Sequence, residues 1–187
     1  MYDVIVIGAG PAGASAALFT AKAGKKTLVL DSDQSITKRA WIENHYGAPD
    51  IAGPDLVETG KKQAAKFGAE FVTAKATSLS SDGTAVKVET EEASYETSHV
   101  ILATGLSVEL AESAGLNIVP GTEPRVKAII EVDAAGKTSL AHVWAAGGCA
   151  GTSLHTIITA GDGAKAAIGV ISELNGERYV DHDVLKK

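Results

Sequence analysis

The chain opens on a short apolar run, residues 3–7 (DVIVI), that stops at a glycine. A continuous apolar run of this length fits a central parallel strand buried on both faces. Residues 11–23 are Ala-rich and predict a helix, and residues 26–30 (KTLVL) predict a second buried strand, giving a βαβ unit. Gly53-Pro54 opens another helix that runs to Lys66-Phe67, with Pro54 suited to a first helical position. From Phe71 the pattern turns β-rich, with a hairpin turn expected at Ser81-Asp82-Gly83 and a strand over residues 84–90. Residues 100–103 form a short apolar strand ending at Thr104-Gly105. Two more strands are expected at 126–132 and 142–146, joined through Gly136. A last long helix spans about 154–174 and stops at Asn175-Gly176.

Hydrophobic residues make up 45% of the 187 positions and aromatics only 5%, so the core rests on Ala, Val, Ile and Leu. Such a core suits layered α/β packing in one domain spanning residues 1–187. The formal charge of −6 argues against a nucleic-acid partner, and the Lys25-Lys26 and Lys61-Lys62 pairs read as solvated faces. No stretch is long and apolar enough to span a membrane. The start lacks a basic leader, and the single cysteine, Cys149, can form neither an internal disulfide nor a Cys-x-x-Cys pair. A cytoplasmic location is the expectation.

Gly8-Ala9-Gly10-Pro11-Ala12-Gly13 lies between a strand and a helix. Gly8 permits the tight turn, Gly10 lets a pyrophosphate reach the backbone, and Gly13 lets helix and strand pack closely. The pyrophosphate then sits on a helix N-terminus, facing free N–H groups. Asp31 closes the next strand 18 residues past Gly13, the spacing of a ribose-binding carboxylate. Asp33 is the weaker candidate, expected to be solvated.

With these residues in view, the chain resembles the flavoproteins with two dinucleotide-binding domains, and among them the low-molecular-weight thioredoxin reductases. Residues 4–13 are similar to that family's FAD fingerprint. Glu43-Asn44-His45-Tyr46-Gly47 with Gly53-Pro54-Asp55-Leu56 is similar to its E-N-F-P-G and G-P-E-L segments. Ala103-Thr104-Gly105 matches its A-T-G strand end. Thr138-Ser139, the stretch 144–147 and Ala160-Gly161-Asp162-Gly163-Ala164 resemble its C-terminal flavin segment. The resemblance implies a Rossmann-like, three-layer α/β FAD domain with a parallel central sheet and a small antiparallel β-meander. It implies FAD contacts at Asn44, at the Ala76 backbone, at Ala103 to Gly105, at Gly147 and Gly148, and at the helix-start N–H groups of Thr156 and Ile157.

Two departures shape the functional expectation. The family inserts a nicotinamide-binding domain with a Cys-x-x-Cys pair after the A-T-G strand. Here Gly105 to Gly147 leaves 42 positions, whereas such a domain needs on the order of 100 residues. The family also places Asp after the glycine corresponding to Gly147, to hold a ribityl hydroxyl, where this chain has Gly148. The expectation is therefore an FAD-binding oxidoreductase that takes electrons from a small molecule or a redox partner protein, and that pairs as a homodimer. A flavin-binding module serving a partner is the alternative, and Asp31 alone would also allow NAD without flavin.

Cys149 is either a thiol activated beside the flavin or a small buried filler. His155, at the start of the last helix, is either a proton donor near the flavin or a helix-start residue. His45 is expected at the surface, His99 and His142 at strand edges and His182 near the tail, all without chemistry. Asp181-His182 resembles the D-H ending of short single-domain relatives. Trp41 and Trp144 read as packing residues.

Overall fold

The computed structural model describes residues 1–181 and 183–185; His182 and the last two residues lie outside that range. Strand β1 (Tyr2–Ile7) alternates between two covered faces, which is why its apolar run is unbroken. Val4 and Val6 face a helical layer, and Ile5 and Ile7 face a β layer. Helix α1 (Pro11–Lys22) starts on Pro, whose missing N–H would have no helical partner anyway. It returns the chain to β2 (Thr27–Asp31), parallel to β1 with Val4 opposite Thr27 and Ile7 opposite Leu30. A 3-10 turn (Ile36–Arg39) and two short paired strands, β3 (Trp41–Ile42) and β4 (Ile51–Ala52), lead to α2 (Gly53–Lys66). Strand β5 (Glu70–Thr73) then joins β2 in parallel.

Strands β6 (Ala76–Ser81), β7 (Val86–Thr90) and β8 (Ser94–Leu102) form the antiparallel meander. Its turn forms where the sequence predicts it: Asp82 Oδ1 accepts the backbone N–H groups of Thr84 and Ala85, each at 2.8 Å. β8 belongs to both layers. Its first half pairs with β7, its second half pairs with β11 (Val143–Ala145), and along its other edge it pairs with β1. The parallel order is thus β5-β2-β1-β8-β11. Between β8 and β11 the chain forms a short helix, α3 (Glu109–Ser113), and a small antiparallel pair, β9 (Ile118–Pro120) and β10 (Ala128–Ile130). A 3-10 turn (Gly147–Ala150) then leads to α4 (Thr156–Asn175), which stops at left-handed Gly176.

The expected three layers are present. Helices α1, α2 and α4 cover one face of the sheet, and the meander with α3 and β10 covers the other. Small residues let α1 and α4 touch backbone to backbone: a Cβ on Gly163 would stand 2.0 Å from the Ala12 carbonyl oxygen. The strand expected at 126–132 shrinks to three residues, matching its three-residue partner β9, which ends on Pro120. Trp144 packs in the core, but Trp41 corrects its expectation, with 64% of its surface exposed.

Candidate functional site

The carboxyl ends of β1, β2 and β8 open onto a cleft of about 870 Å³, inside the range of roughly 300–1,000 Å³ common for small-molecule sites. The chain leaves β1 towards β2 on one side, while β8 lies on the other. That makes the cleft a topological switch point, where open α/β sheets bind ligands.

Gly8, Gly10, Pro11 and Ala12 line its floor, Asp31 and Ala76 one end, Ala103, Thr104 and Gly105 its middle, and Gly148 the other end. Gly13 is not on the wall. A Cβ there would stand 1.9 Å from the Gly8 carbonyl oxygen, so its role is packing. At α1 the Gly10 carbonyl accepts the Ala14 N–H at 2.9 Å, while the first-turn N–H of Ala12 has no helical acceptor. No acidic residue sits in that turn, so the site suits an anion.

Asp31 is 7% exposed. Its Oδ1 accepts the Asp33 N–H at 2.9 Å, and its Oδ2 accepts from Lys61 on α2. Lys61 is therefore no solvated-face residue, unlike Lys62, which pairs with Glu58 on the helix surface. Asp33 is exposed as expected and pairs with Lys38, whose hydrogen bond holds its carboxyl below the ordinary range.

At the far end, a Cβ on Gly148 would meet Leu154 Cδ2 at 2.8 Å and the Gly105 carbonyl oxygen at 2.9 Å, with Leu106 Cδ2 at 3.3 Å. Two leucines thus fill the space over this glycine. Behind it, Asp162 of α4 accepts the Gly147 N–H at 2.8 Å and the Thr152 hydroxyl at 2.7 Å, and Lys165 pairs with its other oxygen. Burial pushes the Asp162 carboxyl up, but the hydrogen bonds from Lys165, Gly147 and Thr152 outweigh it and bring it below its usual value. This carboxylate fixes the turn between β11 and α4.

Cys149 is fully buried, with Sγ 3.4 Å from the carbonyl oxygens of Leu102 and Ala146. Burial pushes its thiol up, against the activated-thiolate reading. His155 stands exposed at the N-cap position of α4 without a side-chain hydrogen bond to the helix, and its Nδ1 lies 3.0 Å from the Ser153 hydroxyl. Thr156 is half-buried, while Ile157 and Asn44 are exposed, and none of these three lines the cleft wall. His45 corrects its surface expectation: it is partly buried, with Nδ1 2.9 Å from the Thr156 hydroxyl, and burial lowers its pKa. That contact sets the 43–47 segment beside the start of α4. Lys61, Leu106, Leu154 and Ser35, whose hydroxyl stands over Gly10, are site residues that the sequence motifs did not single out. Asp162 was legible only inside its motif.

The family described as "Pyridine nucleotide-disulphide oxidoreductase" matches residues 2–125. A thioredoxin reductase of Aquifex aeolicus (strain VF5) is 50% identical over 88 residues, 44% of this chain and 27% of that protein. A thioredoxin reductase of Peptoclostridium acidaminophilum is 37% identical over 119 residues, 62% of this chain and 38% of that protein. The matches thus span well under half the length of these relatives. Among solved structures, a thioredoxin reductase from Gloeobacter violaceus superposes with a TM-score of 0.84 at 19% identity, covering 98% of this chain and 99% of that one. A ferredoxin-flavin thioredoxin reductase from Clostridium acetobutylicum does so with 0.76 at 20% identity, covering 94% and 98%. At such identities the likeness is one of fold.

Proposed function

The chain belongs to the pyridine nucleotide-disulphide oxidoreductase family, and from that premise we propose that its residues 1–187 are a single FAD-binding domain that passes electrons between an external donor and an external acceptor. The observation that carries this reading is one cleft joining the α1 N-terminus, Asp31, Ala76 and Gly148. The adenosine and pyrophosphate half of FAD fits it: Asp31 meets ribose hydroxyls, the Ala76 backbone the adenine, and Gly10 and Ala12 the pyrophosphate. The ribityl half fits less fully, since Gly148 offers no carboxylate and Leu106 and Leu154 crowd it. The first N–H groups of α4, at Thr156 and Ile157, stand outside the cleft wall and would stabilise negative charge on a flavin ring that extends past Gly148. FAD, when bound, supplies the electron chemistry, and the chain binds, orients and shields it.

The short segment between β8 and β11 is taken up by α3 and the β9–β10 pair, which supports the reading that no nicotinamide-binding domain is inserted there. With its one thiol sealed in the core, the chain has no internal dithiol relay. Donor and acceptor are then separate molecules: a small electron donor or a redox protein, of the kind that thioredoxin and ferredoxin represent for the relatives named above. A lone buried cysteine fits the reducing cytoplasm, and no helix among the described residues is long and apolar enough to cross a membrane.

The test is spectroscopic and kinetic. Purified protein should carry, or take up, FAD with its yellow absorbance and oxidise a reduced donor with a dye acceptor. It should not reduce thioredoxin with NADPH unaided. Protein that neither carries nor takes up FAD overturns the assignment. FAD bound without turnover on any dye favours a flavin module serving a partner, which the sealed Cys149 and outward-facing His155 support.

Assembly is part of the same reading. Leu154, Ile157 and Ile158 at the start of α4 and Leu106 at the cleft mouth are each at least 37% exposed, and Tyr46 and Trp41 far more. A homodimer covering these groups and shielding the flavin is expected. Light scattering of FAD-loaded protein should give twice the chain mass, and a monomer with FAD retained overturns it.

A further inference from the structure

A second polar cluster lies at the amino end of the β8–β11 pair, away from the cleft. His99 comes from β8, His142 from the residue that leads into β11, and Glu173 from the last turns of α4. Ligand atoms of the three lie within 4.8 Å of one another.

The surroundings of His142 fix its two nitrogens. Nε2 lies 3.1 Å from the Gly83 carbonyl oxygen, which can only accept, so Nε2 carries the hydrogen and donates. In a neutral ring Nδ1 is then a bare lone pair. It is shut off from solvent and has no hydrogen-bond partner among the described residues, and what faces it at 3.9 Å is Glu173 Oε1. Lys137 bonds the other oxygen, Oε2, and stands over the Trp144 ring. With the His142 ring neutral, two acceptors face each other, an arrangement that an unfilled lone pair makes costly.

A proton on His142 would fill that gap for the pair, but it would leave His99 without a part. The His99 ring stands edge-on to His142 at 4.9 Å between centroids, and it is 3% exposed. It adds a second, buried imidazole to the cluster. The Trp144 Nε1–H reaches its Nδ1 at 3.3 Å, longer than a strong hydrogen bond. Two imidazoles and a carboxylate from three elements, one ring already donating to a backbone carbonyl, form a donor set for borderline metal ions.

We propose that His99, His142 and Glu173 bind one divalent transition-metal cation of the zinc, cobalt, nickel or copper class, with water completing its coordination. Metal–ligand bonds of about 2.0–2.2 Å draw the three side chains closer than they stand, and the long Trp144–His99 contact gives way first. The ion ties the end of α4 to the β8–β11 pair. It is independent of the cleft, so it stands or falls apart from the flavin reading.

The test uses the whole chain without a polyhistidine tag, stripped with EDTA. Calorimetry with Zn²⁺ should show one saturable equivalent. Co²⁺ should give ligand-field absorbance and quench Trp144 fluorescence, since Trp144 borders the site while Trp41 belongs to the separate β3–β4 pair. His142→Gln and Glu173→Gln should each weaken binding by about tenfold or more, while His45→Ala leaves it unchanged. Circular dichroism checks that the variants fold, and Glu173→Gln, on the more exposed residue, decides alone if His142→Gln does not. The proposal is overturned by absence of a saturable equivalent, or by binding that survives both substitutions. It is also overturned by nitrogen NMR showing His142 protonated at Nδ1 at neutral pH and unmoved by Zn²⁺, which would make a proton the occupant of the gap.

Discussion

Lys61 on α2 donates to Oδ2 of Asp31, the residue that closes β2 at the cleft. The pair is well covered, with 10% of the Asp31 side chain and 22% of the Lys61 side chain exposed. The Asp33 N–H holds the other oxygen, so the carboxylate is fixed at the cleft wall with acceptor capacity left on both oxygens. Asp31→Ala should weaken FAD binding by roughly 1.5–3 kcal/mol through lost ribose hydrogen bonds. Lys61→Met should cost about 1–3 kcal/mol of folding stability, because it leaves a covered carboxylate without its partner, and weaken FAD less than Asp31→Ala does. Fluorescence titration with FAD and urea unfolding read the two effects separately. Unchanged FAD affinity in Asp31→Ala would remove the ribose assignment.

Gly148 invites an obvious repair, the Asp that the resembling reductases carry at this place. Geometry predicts that the repair fails by itself. A Cβ at 148 already meets Leu154 Cδ2 and the Gly105 carbonyl oxygen below 3.0 Å, so Gly148→Asp overpacks the turn at a cost of about 1–3 kcal/mol without improving FAD affinity. Trimming the leucine relieves only part of this. Leu154 is 37% exposed, so Leu154→Ala is inexpensive and removes the side-chain contact, while the Gly105 carbonyl oxygen still stands 2.9 Å from a Cβ at 148. The double variant should regain part of the stability that Gly148→Asp loses and bind FAD no more tightly than the unaltered chain. A single Gly148→Asp variant that already binds more tightly would show that the leucines do not restrict the site.

These two positions also show where sequence reading stops. The β1–α1–β2 unit and the cleft floor were legible because buried parallel strands are unbroken apolar runs and the turn between them demands glycine at Gly8, which sits at φ +104. α3, with five residues, is too short to show a helical period, and β9 ends on Pro120 and reads as loop. The first half of β8 was hidden by its polar residues, because only the second half is buried on both faces. Nothing local marks Lys61 over Lys62. The choice depends on which face of α2 lies against the end of β2. His45 likewise owes its burial to Thr156, a residue 111 positions away. Elements follow from periodicity, whereas the pairing of charges and rings across elements waits for the tertiary fold.

Asp162 links the two halves of the cleft's far end and makes its stability sensitive to acid. Its carboxylate holds the Gly147 N–H and the Thr152 hydroxyl, and so fixes the turn that delivers Gly148 and the α4 N-terminus. Its folded pKa is below the value of an unfolded Asp, despite the opposing effect of burial. A group depressed in this way binds more protons unfolded than folded across the window between its two pKa values. Its stabilisation is therefore complete above the unfolded value, and is lost as the pH falls through the folded one. Urea unfolding followed from pH 7 down to pH 3 should show a smaller loss for Asp162→Asn than for the unaltered chain. At pH 7 that variant should be less stable by about 1–3 kcal/mol, from weakened hydrogen bonds to a half-buried turn. Parallel pH profiles for the two proteins would mean that the turn between β11 and α4 is held by packing rather than by this carboxylate.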